Sequence, residues 1–138
     1  SSTLPVFSIP NHSYLYIVRP DIDTKERIEQ MIRSFYASLL TNEDIKPVFA
    51  NTDFEKHMPH MVAFWSFVLL DEAGYKTNVF DKHVNLPIKK EHFGIWLKHF
   101  EENIKNQFTG PKADLALQRA QLIAYTFENK LKAMGKID

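Results

Sequence analysis

The stretch "FDKHVNLPIKKEHFGIWLKHF", residues 80–100, decides the fold, because it joins a histidine-bearing loop to an aromatic-rich helix. His83 stands before that helix, and Pro87 separates the two. Apolar side chains then recur at steps of three and four residues, the spacing of one buried helical face: Phe93, Trp96, Leu97, Phe100, Ile104 and Phe108. The pattern predicts a helix over residues 89–108, with the imidazole of His83 in the loop just ahead of it.

Three more helices are predicted around this one. The first starts at Asp23 or Thr24 as N-cap, and the second covers residues 53–71, with Pro59 predicting a kink or a separately wound segment ahead of it. A third runs from Pro111 to about Met134, with an apolar stripe formed by Ala116, Ala120, Ile123, Phe127 and Leu131. The first two show these apolar stripes: Ile28, Met31, Ile32, Phe35, Tyr36, Leu39 and Leu40, then Met58, Met61, Val62, Trp65, Val68 and Leu69.

The remaining segments connect these helices. The stretch "NEDIKPVFAN", residues 42–51, predicts a turn with a short helical piece that ends at Phe49, and residues 72–88 predict a long polar loop. Residues 1–20 contain three prolines, which favours an arm against a body formed by residues 21–138. No strand pattern is convincing, so the sequence predicts one all-α domain over residues 1–138.

Composition excludes several classes of protein. Seventeen basic and 17 acidic side chains give a formal net charge of zero, which argues against nucleic acid as a partner. The longest apolar run, residues 61–70, is too short to span a membrane, and no secretory signal is visible, so we expect a cytoplasmic protein. There is no cysteine, so a metal would need histidine, carboxylate or a cofactor.

The histidines allow two kinds of metal site. His57 and His60 stand three residues apart and could supply two ligands of a zinc site that has a third ligand elsewhere. Such a pair is common by chance, however, and Pro59 between them disturbs the helical geometry. A haem instead needs a flat apolar slot and one imidazole on the iron, with a hydrogen-bond donor on the other face for bound O₂. His83 can supply the imidazole. Candidates for the slot and for polar groups near the ligand are Phe35, Phe49, Phe64, Phe80, Phe93, Met61, Tyr36, His57 and Trp96.

Several pieces together resemble a known family. They are "IRSFYASLL", "KPVF", a histidine eight residues before the tryptophan of "FW", "DKHVNLPIKKEHFGIWLKHFEE" and "LQRAQLIA". Over residues 27–134 the chain resembles the group III truncated haemoglobins of bacteria. That resemblance implies a truncated globin-like two-over-two helical sandwich around haem b.

The resemblance also implies roles for individual residues. The histidine of "DKHVNLP" matches the proximal iron ligand, His83, and the tyrosine of "SFY" matches a distal hydroxyl donor, Tyr36. The tryptophan of "GIWL" matches a distal indole donor, Trp96. The other positions are the distal histidine His57, the ring-packing Phe49 and a pocket residue, Met61, while His60 and Lys82 are candidates for binding the haem propionates.

Structural roles compete with each of these assignments. A lone His83 could cap a helix end, and Tyr36 and Trp96 could be core residues whose one polar atom is satisfied. His57 is equally compatible with a solvent-facing position, and His60 and Lys82 with a solvated surface. We expect His12, His92 and His99 at the surface.

Three functions follow from these readings. The first is a haem protein that binds O₂, NO, CO or a similar diatomic ligand as a sensor, scavenger or oxygen-delivery protein, monomeric or weakly dimeric. The second is an NO dioxygenase or peroxidase-like enzyme on the same haem, which needs an external reductase. The third is a helical interaction module without a cofactor.

Overall fold

The computed structural model describes residues 19–73, 75 and 83–138, and all regular secondary structure within these ranges is helical. The predicted all-α class is confirmed. The elements in chain order are α1 (Lys25–Leu39), a 3₁₀ helix (Lys46–Phe49), α2 (Phe54–Leu70), α3 (Lys90–Gln107) and α4 (Pro111–Ala133). Most of the predicted arm, together with Phe80 and Lys82, lies outside the described residues.

Side-chain caps fix where two of the helices begin. Thr24 Oγ1 accepts a hydrogen bond from the Arg27 backbone N–H at 3.1 Å, so Thr24 is the N-cap of α1. Asp53 Oδ1 accepts from the Lys56 N–H at 3.1 Å and starts α2 in the same way. Each cap satisfies a backbone donor that the first turn of a helix leaves without a partner.

Pro59 lies within α2, which runs unbroken from Phe54 to Leu70. The prediction of a separately wound segment ahead of Pro59 is therefore wrong. Proline removes one backbone donor, the one that would bond to the Glu55 carbonyl, and here the loss falls near the start of the helix. Glu55 is in the first turn, where the helix has few preceding backbone bonds to disturb.

The four helices pack as a sandwich in which α1 contacts α2 and α3, and α4 contacts α3 and α2. Their apolar faces form a large buried cluster and a smaller one that consists of Phe93, Ala124 and Leu131. Ile88 and Trp96 pack against both clusters. The start of α3 and the turn before it therefore lie where the two clusters meet.

Asp21 ties the chain ahead of α1 to the first turn of α4. Its carboxylate accepts from the backbone N–H groups of Ala113 at 2.8 Å and Lys112 at 3.1 Å. Gly110, with φ of 136°, precedes them, and a Cβ atom there would lie 2.5 Å from Asp21 Cγ. Glycine is required at this position both for the positive φ and for the close approach of the carboxylate.

Replacing Asp21 with alanine is expected to lower the free energy of unfolding by about 1–3 kcal/mol, because two helix N-terminal donors lose their acceptor. Urea denaturation measures the change. The matched control is Asp23→Ala, which removes an exposed pair with Arg27 at 2.6 Å and should cost about 0.5 kcal/mol or less. Equal losses in the two variants would contradict the capping role of Asp21.

Among the described residues, no helix combines the length and the apolar character that crossing a membrane requires.

Candidate functional site

A cavity of about 190 Å³ lies among the helices, and every candidate site residue within the described ranges lines it. These residues come from α1, the 3₁₀ helix, α2, α3 and the turn before α3: Phe35, Tyr36, Phe49, His57, His60, Met61, Phe64, His83, Phe93 and Trp96. The structure thus brings together side chains as far apart in the sequence as Phe35 and Trp96. Only Phe80 and Lys82 cannot be placed.

His83 occupies the wall formed by the turn before α3 and by α4. The Leu86 N–H donates to the His83 carbonyl at 3.1 Å, so the chain turns directly after the histidine. The imidazole centroid lies 5.7 Å from that of the Phe127 ring, with the rings tilted by 48°. A half-buried imidazole is therefore held at the cavity against an aromatic side chain of α4.

Tyr36 occupies a second wall, formed by α1, the 3₁₀ helix and the start of α2. Its ring centroid lies 4.7 Å from Phe54 and 5.9 Å from Phe49. The side chain keeps some accessible surface because it borders the cavity. The surrounding protein still removes enough water to raise the pKa of Tyr36 to about 12. Tyr36 is consequently a neutral phenol, which can donate a hydrogen bond, throughout the neutral pH range.

The pKa of Tyr36 gives a testable pH dependence. Because the folded pKa lies above the usual value, the stabilising contribution is complete below pH 10 and is lost as the pH rises through about 12. The difference in phenolate absorbance between wild type and Tyr36→Phe should therefore titrate near pH 12. A midpoint near pH 10 in that difference would show that Tyr36 is solvated.

Trp96 belongs to a stack of aromatic rings. It lies parallel to Phe100, with centroids 5.4 Å apart, and Phe100 lies parallel to Trp65 at 5.3 Å. The edge of Phe35 meets Trp96 at 5.6 Å. Because neighbouring rings restrict its rotation, the Trp96 indole has little conformational freedom at the cavity wall.

His57 and His60 line the cavity from α2 but are exposed, so this wall opens to solvent. Their ring centroids are 6.5 Å apart. Within the described residues, no group of three or more histidine or carboxylate side chains is placed to hold a metal ion, so the zinc hypothesis gains no support from this pair.

The surface assignment of His92 is wrong. This residue is 7% exposed and lines the cavity, with Nδ1 2.9 Å from the Lys89 backbone nitrogen and Nε2 3.1 Å from the Asp44 carbonyl oxygen. His99 is also not fully exposed, since its Nδ1 lies 2.9 Å from Ser38 Oγ. His12 lies outside the described residues. The Asp44 partner of His92 and the Ser38 partner of His99 lie in other elements, so the local sequence pattern gave no signal of these contacts.

Two further cavity residues, Phe54 and Phe127, were not singled out from the sequence. Phe54 packs against Tyr36, and Phe127 packs against His83. Phe127 does lie on the apolar stripe of α4, which predicts its burial. Nothing in that stripe identifies the imidazole as its neighbour.

The residues around the cavity fit a haem. Most of the lining side chains are aromatic or aliphatic. They belong to both the large and the small apolar cluster, so the cavity offers the extended apolar surface that a flat apolar group requires. His83 offers an imidazole, the commonest nitrogen ligand of haem iron. The exposed edge at His57 and His60 suits carboxylates that must remain hydrated. His83 would hold the iron, and the aromatic walls would hold the ring.

A protein-family model matches most of the chain. The model of the family described as "Bacterial-like globin" matches residues 20–129. This range includes every cavity residue named above and four of the helical elements completely.

Individual proteins agree with this match. The chain is 33% identical over 118 residues to the group 3 truncated hemoglobin ctb of Campylobacter jejuni, covering 80% of this chain and 93% of that one. It is 31% identical over 85 residues to the group 1 truncated hemoglobin GlbN of Nostoc commune, covering 61% and 72%. The crystal structure of the group III truncated hemoglobin from Campylobacter jejuni superposes with a TM-score of 0.70 at 34% identity, covering 78% of this chain and 91% of that one.

Proposed function

The chain belongs to the group 3 truncated haemoglobins, within the bacterial-like globins, and from that premise we propose roles for its cavity residues. Members of the family are haem proteins that bind small ligands, and haem b is their usual cofactor. In our proposal His83 holds the iron. Tyr36 and Trp96 donate hydrogen bonds to a diatomic ligand such as O₂.

One observation carries the proposal: residues chosen from separate sequence motifs line a single cavity. Tyr36 comes from α1, His83 from the turn before α3 and Trp96 from α3 itself. Three side chains with polar groups, from distant parts of the sequence, thus line one mainly apolar cavity, as a haem site with an iron ligand and distal donors requires.

In the proposal, the residues on two walls of the cavity have different roles. When bound, haem would supply an iron able to take up a diatomic ligand. The His83 imidazole, held against Phe127, serves on the proximal side. On the distal side the Tyr36 phenol and the Trp96 indole are both donors, so they stabilise negative charge on a polarised ligand. Phe49 and Phe54 pack beside Tyr36 and limit the access of water to it.

The edge of the cavity has a different role in the proposal. His57 is exposed at the mouth of the cavity, and Met61 lines the cavity one turn further along α2. In the proposal His57 contacts an entering ligand, and His60, which is also exposed, pairs with a haem propionate. Lys82 stays a prediction for the second propionate.

Visible absorption spectra of the ferric, ferrous and carbon monoxide forms test the proposal. We expect purified protein supplied with haem to show a Soret band in each form and to bind CO reversibly. Protein that stays colourless after haem addition would contradict the proposal and would leave the third hypothesis, a helical interaction module without a cofactor.

The enzymatic alternative, NO dioxygenation or peroxide chemistry with an external reductase, stays a prediction that kinetics can decide. Stopped-flow mixing of the O₂ complex with NO should be followed by repeated turnover in the presence of a reductase. Oxidation that stops after one equivalent would leave ligand binding as the function.

Three other expectations from the sequence also stay predictions: cytoplasmic location, a monomeric or weakly dimeric state, and a single domain over residues 1–138 with an N-terminal arm. Analytical ultracentrifugation of the haem-loaded protein tests the second of these directly.

A further inference from the structure

His92 is a buried histidine whose two ring nitrogens both contact backbone atoms. Nδ1 lies 2.9 Å from the Lys89 nitrogen, and Nε2 lies 3.1 Å from the Asp44 carbonyl oxygen. A backbone N–H can only donate, so Nδ1 must be the acceptor and carry no hydrogen. A carbonyl oxygen can only accept, so Nε2 must carry the hydrogen and donate. The two contacts together therefore select the neutral Nε2–H tautomer.

These two bonds join segments that build different parts of the cavity. Asp44 lies in the connection between α1 and the 3₁₀ helix, where Asn42 Oδ1 accepts from the N–H groups of Asp44 at 2.9 Å and Ile45 at 3.2 Å. Ile45, 2% exposed, lines the cavity. Lys89 is the N-cap of α3. One imidazole thus fastens the folded connection behind Ile45 to the start of α3.

The start of α3 matters for the ligand because Trp96 follows His92 by four residues. Residues at this separation lie on the same face of a helix, and both line the cavity. A shift of the first turn of α3 would move the Trp96 indole along the stack that it forms with Phe100. Trp96 is one of the two donors assigned to the ligand, so its position affects how long the ligand stays bound.

We propose that His92 is a positioning residue that links the Asp44 connection to the first turn of α3 and so sets the place of Trp96 beside a bound diatomic ligand. This inference rests on the proposed function. A capping role would explain only the bond from Lys89, because the side chain at the third position of a helix, often glutamate or glutamine, commonly accepts a hydrogen bond from the N-cap N–H. The bond to Asp44, 48 residues away in the sequence, is additional to capping.

Ligand kinetics of three variants test the proposal on the haem-loaded protein. We expect His92→Leu to speed O₂ dissociation by about tenfold, the factor that corresponds to losing about one net hydrogen bond. His92→Gln keeps one acceptor and one donor and should restore a rate close to that of wild type. The matched control is His99→Leu, which removes the bond to Ser38 from the same helix and should leave the rate unchanged. An unchanged rate in His92→Leu, or equal changes in His92→Leu and His99→Leu, would overturn the proposal.

A measurement without mutation covers the case in which His92→Leu does not fold. In the diamagnetic carbon monoxide complex, ¹⁵N spectra of labelled histidine should show a neutral His92 with its hydrogen on Nε2. A hydrogen on Nδ1 would overturn the proposal. Failure of the proposed function looks different, since a protein that binds no haem gives no carbon monoxide complex at all.

Discussion

His83→Ala is expected to abolish stable haem retention while the helices still form. His83 is the imidazole that the turn before α3 and Phe127 of α4 hold at the cavity wall. Removing it leaves the aromatic walls to hold the ring through apolar contacts, without a bond to the iron. We expect haem to dissociate about a hundredfold faster or more, which corresponds to about 3 kcal/mol. Transfer of haem to an excess of a haem-scavenging globin, followed in the Soret region, measures this rate.

Two controls separate loss of the ligand from loss of the fold. His99→Ala removes another half-buried histidine and should retain haem. His83→Gly makes room for free imidazole, and adding imidazole should restore both retention and the wild-type spectrum. Full haem occupancy in His83→Ala, with an unshifted Soret band, would show that another residue binds the iron.

Tyr36→Phe and Trp96→Phe are expected to have the second largest effect, on the dissociation of O₂. A hydrogen bond to a charged acceptor contributes about 1.5–3 kcal/mol, so losing either donor should raise the dissociation rate about tenfold to a hundredfold. Because the proposal has both donors contact one ligand, the double variant should differ from the sum of the single effects. Stopped-flow displacement of O₂ by carbon monoxide gives all the rates.

Tyr125→Phe is the matched control for the phenol. Tyr125 is 70% exposed on α4, so losing its hydroxyl should leave O₂ dissociation unchanged. Rates in Tyr36→Phe and Trp96→Phe that equal the wild-type rate would mean that neither group reaches the ligand, and the distal half of the proposal would then be wrong.

The helices could be predicted from the sequence because their apolar stripes are strong and local. Five residues of the α1 stripe are buried as predicted: Ile28, Met31, Ile32, Phe35 and Leu39. Thr24 and Pro111 mark helix starts by chemistry that depends only on neighbouring backbone groups. For Pro59 the sequence offered a kink or a separately wound segment, and the second is wrong because the cost of proline depends on its position within a helix whose start at Phe54 is set by Asp53.

The site could be predicted only in part, since its residues were identified by motif and their convergence needs the fold. Motifs identified His83, Tyr36 and Trp96, and the structure places all three at one cavity. His92 was wrongly assigned to the surface, because its Asp44 partner lies in a connection 48 residues away in the sequence. Polar contacts between remote segments leave no periodic signal in a sequence.

X-ray diffraction from crystals of the haem-loaded protein, collected at the iron absorption edge, tests the central claim most directly. The account predicts one anomalous peak inside the cavity, at coordination distance from the His83 imidazole, with Tyr36 and Trp96 on the other side of the ring. A peak bonded instead to His57 or His60, or an iron site outside the cavity with His83 turned toward solvent, would contradict it.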